Sequence, residues 1–407
     1  MTYLNVLITT LLISTQWTAN AMETPEPSSP SSPSTPSIQK DYNKRNATQA
    51  AGSISFDQRW LNEEIFLAKA ERAYFLNRVY QQNSLSSQLH APKDLSEEEK
   101  EKKEETEKKF KALSEDYKSH GFNGLVPAKA FSSIGAGYIE LNYFGILIDP
   151  SRRFQTAAAL GSTMYDLNPV IDRMLEDVKP GSKFLDIGCS FGYNTDRLVR
   201  KGAIVIANDE DAYSLQVLAN SPVVQDQKKE KVYLYLGKFP EEVNLGREFY
   251  DGILMSYVIH YFTPAQIKAS LQKSMALLKP GGKLYITALT PYSSTFYWFT
   301  QSSLEAFKNG AQWPGQIGNP VDAYKHITGF YPSKDTGGMF ASYIHPQYPS
   351  ILEREAKEAG YEVETSLYFP FKKIEPQEWN NISRLSLYRV PKDAMGIILK
   401  KPENKKE

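Results

Sequence analysis

Two acids, two glycines and a helix start stand close together in this chain. The first group is Phe184-Leu185-Asp186-Ile187-Gly188-Cys189-Ser190-Phe191-Gly192, which runs into the helical pattern Asn194-Thr195-Asp196-Arg197-Leu198-Val199. An apolar strand that ends in an acid and turns through glycines into a helix N-terminus is how an α/β sheet holds an adenosine-bearing cofactor. Spacing narrows the choice. A dinucleotide loop wants glycine at its first, third and sixth positions, and counted from Gly188 the last two are Ser190 and Tyr193. What stands here is Asp-x-Gly-x-x-x-Gly. A second acid, Asp209, closes the buried run Ala203-Ile204-Val205-Ile206-Ala207-Asn208-Asp209, close to the roughly 20-residue interval of a ribose-binding carboxylate. A carboxylate accepts from both ribose hydroxyls at once. It also suits the N-cap of a helix from Ala212, a task equally open to Asp211.

The elements that must position these residues alternate. Val232-Tyr233-Leu234-Tyr235-Leu236 reads as a third strand and Phe249-Tyr250-Asp251-Gly252-Ile253-Leu254-Met255-Ser256 as a fourth. A helix then starts on Pro264, with Ile267, Leu271, Met275 and Leu278 on one face, and stops at Lys279-Pro280-Gly281-Gly282. A fifth strand is expected from Lys283 to Leu289, a helix over 352–360, and strands over 361–369 and 394–399. Alternation at these lengths predicts an α/β fold with a doubly wound sheet.

The glycine loop, with Ser190 at the middle glycine position, resembles the first motif of the class I S-adenosylmethionine-dependent methyltransferases. Leu277-Leu278-Lys279-Pro280-Gly281-Gly282-Lys283-Leu284 is similar to the sequence with which that family leaves its fourth helix. The resemblance covers residues 164–401 and implies a seven-stranded Rossmann-like sheet, the last strand antiparallel and inserted beside the fifth. It implies S-adenosyl-L-methionine as cofactor, held by Asp186, Gly188, Cys189, Ser190, Gly192, Asp209, Gly237, Lys238 and Ser256. Asp186 would order the loop and the cofactor's amino-acid end. Cys189 is also read as a small residue filling a tight turn.

Two positions carry the specific chemistry. Many relatives read Gly-Asp after the third strand, the acid contacting adenine; here Gly237-Lys238 stands there, and a lysine offers adenine's amino group no acceptor. After the fourth strand comes Ser256-Tyr257-Val258-Ile259-His260-Tyr261-Phe262, unlike the Asn-Pro-Pro-Tyr type of enzymes that methylate nucleobase or glutamine nitrogen. It looks like the segment of small-molecule methyltransferases, including the quinone-biosynthesis branch. His260 is the candidate base for a hydroxyl nucleophile, weighed against a histidine that merely packs under the sheet edge. Residues 291–349 form an insertion rich in aromatics, among them Tyr292, Phe296, Trp298, Trp313, Tyr343 and Tyr348. They read as a cap over the acceptor or as a satellite core.

Composition bounds the rest. Lys plus Arg and Asp plus Glu are 47 each, so no global field gathers a polyanion and a nucleic-acid substrate is disfavoured. One cysteine forbids an internal disulfide, and five scattered histidines show no metal spacing. No metal is expected. Residues 1–21 join a short apolar run to Ala19-Asn20-Ala21, resembling a secretory signal peptide, although the first Lys or Arg is Lys40. Export or membrane attachment through that segment is the expectation, with a cytoplasmic location if it is no signal. A Pro/Ser-rich disordered linker follows over 22–50, then a helical region over 51–150, and the methyltransferase domain over 151–402. Within the helical region, 56–80 is amphipathic, and Ser96-Glu97-Glu98-Glu99 is a capping box opening a solvated Glu/Lys-rich helix to about Lys118.

The function expected is methyl transfer to a small or lipophilic acceptor, oxygen favoured. The alternatives are a protein methyltransferase acting after export, and an interaction protein of the same fold that binds cofactor poorly.

Overall fold

The computed structural model describes residues 97–132, 154–155, 162–163, 168–225, 229–293, 296–328, 343–370 and 392–404. The signal-like segment, the linker, the 56–80 helix and Ser96 of the capping box lie outside these residues.

In chain order the elements are α1 (Glu97–Ser119), β1 (Val126–Pro127), α2 (Ala128–Ser132), β2 (Phe154–Gln155), β3 (Ser162–Thr163), α3 (Pro169–Asp177), β4 (Lys183–Ile187), α4 (Tyr193–Arg200), β5 (Ile204–Asp209), α5 (Ala212–Ala219) and α6 (Pro222–Gln225). There follow β6 (Val232–Leu236), β7 (Tyr250–Ser256), a 3₁₀ turn (Ile259–Tyr261), α7 (Pro264–Leu277), β8 (Leu278–Leu289), α8 (Tyr297–Lys308), α9 (Pro320–Thr328), α10 (Pro349–Glu358), β9 (Glu362–Phe369) and β10 (Ala394–Lys400).

One sheet runs β1-β6-β5-β4-β7-β8-β10-β9, and β2 pairs with β3 as a separate ribbon. Strands β6, β5, β4, β7 and β8 are parallel, while β10 is antiparallel to both of its neighbours, β8 and β9. The doubly wound α/β fold and the inserted antiparallel strand are therefore present. The sheet has eight strands rather than seven. The extra one, β1, comes from the N-terminal region and pairs antiparallel with β6 through Val126–Leu234 and Pro127–Tyr233. A two-residue strand containing proline is confined to a sheet edge, because proline cannot donate to a ladder.

Two features differ from the sequence reading. β8 begins at Leu278, not Lys283, because Leu278 pairs with Tyr250 and Gly281 and Gly282 bond to Lys401, which keeps the Pro-Gly-Gly bulge in the ladder. The Glu/Lys-rich α1 is not wholly solvated. Its Phe110 is 1% exposed and meets Phe131 of α2 edge to face, 4.9 Å between ring centres. Leu113 and Tyr117 pack beside it on the core that contains Leu215, Leu218 and Ala219 of α5. The polar faces of α1 carry the charges, and a single row of apolar residues is enough to bury it.

The two faces of the sheet make two cores. Phe184, Val205, Leu254 and Tyr285 point to the side covered by α1 to α5, and Leu185, Ile253, Ile286 and Ile397 to the side covered by α7 and α10. Strands buried on both faces read as continuous apolar runs, which is why β4, β5 and β7 stand out in the sequence. α7 opens with the expected proline and a full capping box between Thr263 and Gln266.

Candidate functional site

The carboxyl ends of β4, β5, β6 and β7 converge on the glycine loop, the crevice where open α/β sheets take ligands. The loop leaves β4 at Gly188 (φ 64°), where a side chain would also collide with Val258: an added Cβ would lie 2.5 Å from Val258 Cγ2. Ser190 holds φ 49°, a left-handed conformation uncommon outside glycine. The serine thus keeps the backbone shape that a glycine would take freely. Its Oγ is buried without a hydrogen-bond partner. Gly192 is the N-cap of α4 and supplies no capping side chain, so the positive end of that helix faces the loop.

Asp209, at the end of β5, holds this loop in shape. One carboxylate oxygen accepts the Ser190 N–H at 2.8 Å and the other the Asp211 N–H at 3.0 Å. Burial pushes its carboxyl up to about 6, against the pull of those two N–H groups. Asp211 is the N-cap of α5, accepting from Ser214 N at 2.8 Å. Of the two tasks that the sequence left open, the cap of α5 falls to Asp211. Lys103 of α1 reaches Asp211 at 3.4 Å, so the N-terminal helix touches the margin of the site.

Asp186 lies beneath the loop, 1% exposed, and accepts the Thr195 hydroxyl of α4 at 2.7 Å. Burial raises it to about 7, with Asp209 adding a smaller push. Cys189 is buried, its N–H bonded to the Asn208 carbonyl, and burial raises its thiol well above the ordinary value. A protonated buried thiol is a packing group, not a nucleophile. Asn208, absent from the sequence expectations, joins the ends of β5 and β6: its side-chain amide donates to the Tyr235 and Gly237 carbonyls at 3.1 and 2.9 Å. Gly237 has φ 156°, and the Lys238 N–H donates to the Glu242 carboxylate at 2.9 Å while its side chain is exposed. The Lys238–Glu242 link is thus made by the backbone.

At the end of β7, Ser256 Oγ accepts from Thr287 Oγ1 at 3.3 Å. Tyr257 then takes φ 58°, a strained conformation for an aromatic residue. The 3₁₀ turn that follows carries His260, 1% exposed, with Nδ1 buried and unpartnered. Burial lowers its pKa to about 3. The sequence did not foresee its neighbour. The insertion brings His345 alongside, its N–H donating to the His260 carbonyl at 2.7 Å. The insertion also has cores of its own: Phe296, Trp298, Phe299, Ile317 and Ile344 form one, with Tyr261 and Leu289 packed on it, and Tyr292, Leu304, Tyr348 and Ile351 form a second. It is a satellite core seated on the strand ends. Residues 329–342 of the insertion, which include the aromatics Phe330, Tyr331 and Phe340, lie outside the described residues. Among the described residues no cluster of three metal-ligating side chains occurs.

Residues 184–282 match the family model described as a methyltransferase domain. The chain is 33% identical over 112 residues to the human mitochondrial ubiquinone biosynthesis O-methyltransferase, covering 27% of this chain and 29% of that one. It is 28% identical over 109 residues to the rat protein of the same name, covering 27% and 31%. Against an uncharacterized methyltransferase of Synechocystis it is 28% identical over 121 residues, 30% of this chain and 53% of the other. The chain thus spans between under a third and about half the length of these relatives. Among solved structures, a Methanosarcina mazei SAM-dependent methyltransferase aligns over 59% of this chain and all of its own, at 16% identity and a TM-score of 0.42.

Proposed function

We propose that this chain, whose core is a class I S-adenosylmethionine-dependent methyltransferase domain, transfers a methyl group to a hydroxyl of a small or lipophilic acceptor. The observation that carries the reading is the Gly188–Gly192 loop pinned by Asp209 at the carboxyl ends of parallel strands. The residues present fit the cofactor. Each Asp209 oxygen accepts one backbone N–H and keeps further lone-pair capacity for the ribose hydroxyls. The unpartnered Ser190 Oγ and the uncapped start of α4 supply donors toward a carboxylate. Bound S-adenosylmethionine would supply a methyl group on a sulfonium, activated without help from the protein.

The chain's own part is to bind and align, worth about 7–11 kcal/mol when geometry is well matched. Gly188, Cys189, Ser190 and Gly192 carry the backbone against the cofactor, above Asp186 and Thr195. Asp209 takes the ribose, Gly237 and Lys238 stand on the adenine side with both N–H groups already bonded within the protein, and Ser256 lines the cofactor site at the end of β7. His260 is not given the role of base. With its pKa near 3 it takes up a proton poorly at neutral pH, although as a neutral ring it still accepts hydrogen bonds.

Calorimetric titration with S-adenosylhomocysteine tests the cofactor, and product mass after incubation with metabolite and protein extracts tests the acceptor. A methylated small molecule supports the reading; a methylated protein replaces it with the protein-methyltransferase alternative, and absent cofactor binding replaces it with the interaction protein. The signal-like residues 1–21 support export or membrane attachment. N-terminal sequencing of natively expressed protein tests it: a chain beginning near Met22 supports cleavage and an intact Met1 overturns it. Among the described residues no helix is long and apolar enough to cross a membrane.

A further inference from the structure

The inward stripe of α1 is Lys103, Thr106, Phe110, Leu113 and Tyr117, three or four residues apart as one helix face requires. Lys103 is its basic member. Lys100, Lys102, Lys109, Lys111 and Lys118 pair with glutamates of α1 itself, one turn away. Lys103 reaches off the helix, to Asp211 at 3.4 Å, and the two side chains are only 26% and 12% exposed. A pair so placed is screened less than one in open solvent.

What Lys103 touches is the start of α5, and α5 carries the cofactor loop. Every residue of α5 but Tyr213 is buried, so this helix needs cover on all sides. Phe110, Leu113 and Tyr117 of α1 give it part of that cover, in one core with Leu215 and Leu218. Leu218 also packs on the loop: a Cβ added to Gly192 would lie 2.3 Å from Leu218 Cδ1. At the other end of α5 the Asp211 side chain caps the helix, while its N–H donates to the Asp209 carboxylate at 3.0 Å. That carboxylate in turn accepts the Ser190 N–H. Lys103, Asp211, Asp209 and Ser190 thus form an unbroken line from α1 into the loop.

We propose that α1 is a working part of the cofactor site, with Lys103 as a positioning residue: it fixes Asp211 and, through the Asp211 N–H, the carboxylate that receives the ribose hydroxyls. This rests on the methyltransferase reading and adds to it a residue from outside the 184–282 span that matches the family model. A carboxylate that turns away loses bonds to both hydroxyls, because a hydrogen bond weakens steeply with angle. The coupling runs both ways: a ligand that fixes Asp209 holds α5 and α1 in return.

The test is calorimetric titration of the full chain at pH 8, above the Asp209 pKa of about 6, so that this carboxylate is ionised. The probes are S-adenosylhomocysteine and its 2′-deoxy and 3′-deoxy forms. Lys103→Met should bind S-adenosylhomocysteine roughly three- to fivefold more weakly, the scale of a partly buried ion pair, and Lys103→Arg should keep the affinity. The preference for the full ribose over the deoxy forms should shrink in Lys103→Met. Asp211→Asn retains an N-cap and removes the charge; it should weaken binding alike, and the double variant no further, since both changes break one link. Hydrogen exchange reads the reverse direction: S-adenosylhomocysteine should slow exchange over 106–117 more in wild-type protein than in Lys103→Met. Unchanged affinity in Lys103→Met, additive losses in the double variant, or an equal loss against the deoxy forms makes α1 a cover for the core alone. Each of these overturns the proposal and leaves the cofactor reading intact. Failure of wild-type protein to bind S-adenosylhomocysteine removes the reading and this inference together.

Discussion

The Asp209 carboxylate and the Ser190 N–H, 2.8 Å apart, join the end of β5 to the loop after β4. The residue proposed to hold a ribose is thus also the residue that shapes the loop. Asp209→Ala should weaken S-adenosylhomocysteine binding by about 1.5–3 kcal/mol, the usual loss for a charged hydrogen-bond partner. Calorimetry measures it, with circular dichroism to show that the fold is kept. Asp211→Ala should instead cost about 1 kcal/mol of stability through its lost cap, and an affinity loss confined to that variant would move the ribose contact to Asp211.

Asp186 predicts a stability profile. Its pKa in the folded chain, about 7, lies above the ordinary value of 3.8 because the carboxyl is buried. Between those values the folded state binds more protons than the unfolded one, so this group makes stability fall as pH rises. Asp186→Asn keeps an acceptor for Thr195 and removes the charge. The melting temperature of the variant relative to the parent should rise from pH 5 to pH 8 in the absence of cofactor. A difference that stays flat with pH would show that Asp186 titrates as an ordinary carboxyl.

Gly188→Ala should disturb two things at once. The new Cβ meets Val258 Cγ2 at 2.5 Å and sits at φ 64°, a backbone strain costing about 1–3 kcal/mol. Because Val258 begins the turn that carries His260, cofactor affinity and the His260 ring environment should both change. NMR of the histidine rings separates this from a loss confined to the loop.

Phe110→Ala should destabilise the core of the eight-stranded sheet itself by about 3–5 kcal/mol, the range for emptying a buried aromatic site. Urea denaturation followed by tryptophan fluorescence measures it. A change within 0.5 kcal/mol, typical of surface positions, would make α1 an appendage.

The parts of the fold that are legible in the sequence are those whose signal is local. β4 and β5 are apolar runs closed by glycine or acid, β7 is an apolar run closed by Ser256, and the loop from Gly188 to Gly192 shows its bends in its residue types. Ser190 hides one of them, since its left-handed backbone comes from the Asp209 bond and not from the residue's own preference. The seat of α1 was missed because a polar helix conceals a single buried row. β1 is too short for any period to show. His345 could not be paired with His260 from spacing, because the insertion's own packing brings them together.

The place of β10 between β8 and β9 has a consequence for how the chain is made. A strand synthesised after both of its neighbours must enter a gap between them, so the β8–β9 side of the sheet stays open while β4 to β7 can already pair. Until β10 arrives, the inner edges of β8 and β9 are bare ladders able to pair with another chain. The nascent chain therefore passes through a stage in which its glycine loop can already form while two strand edges still need protection from self-association, and the time until β10 enters governs how long that stage lasts.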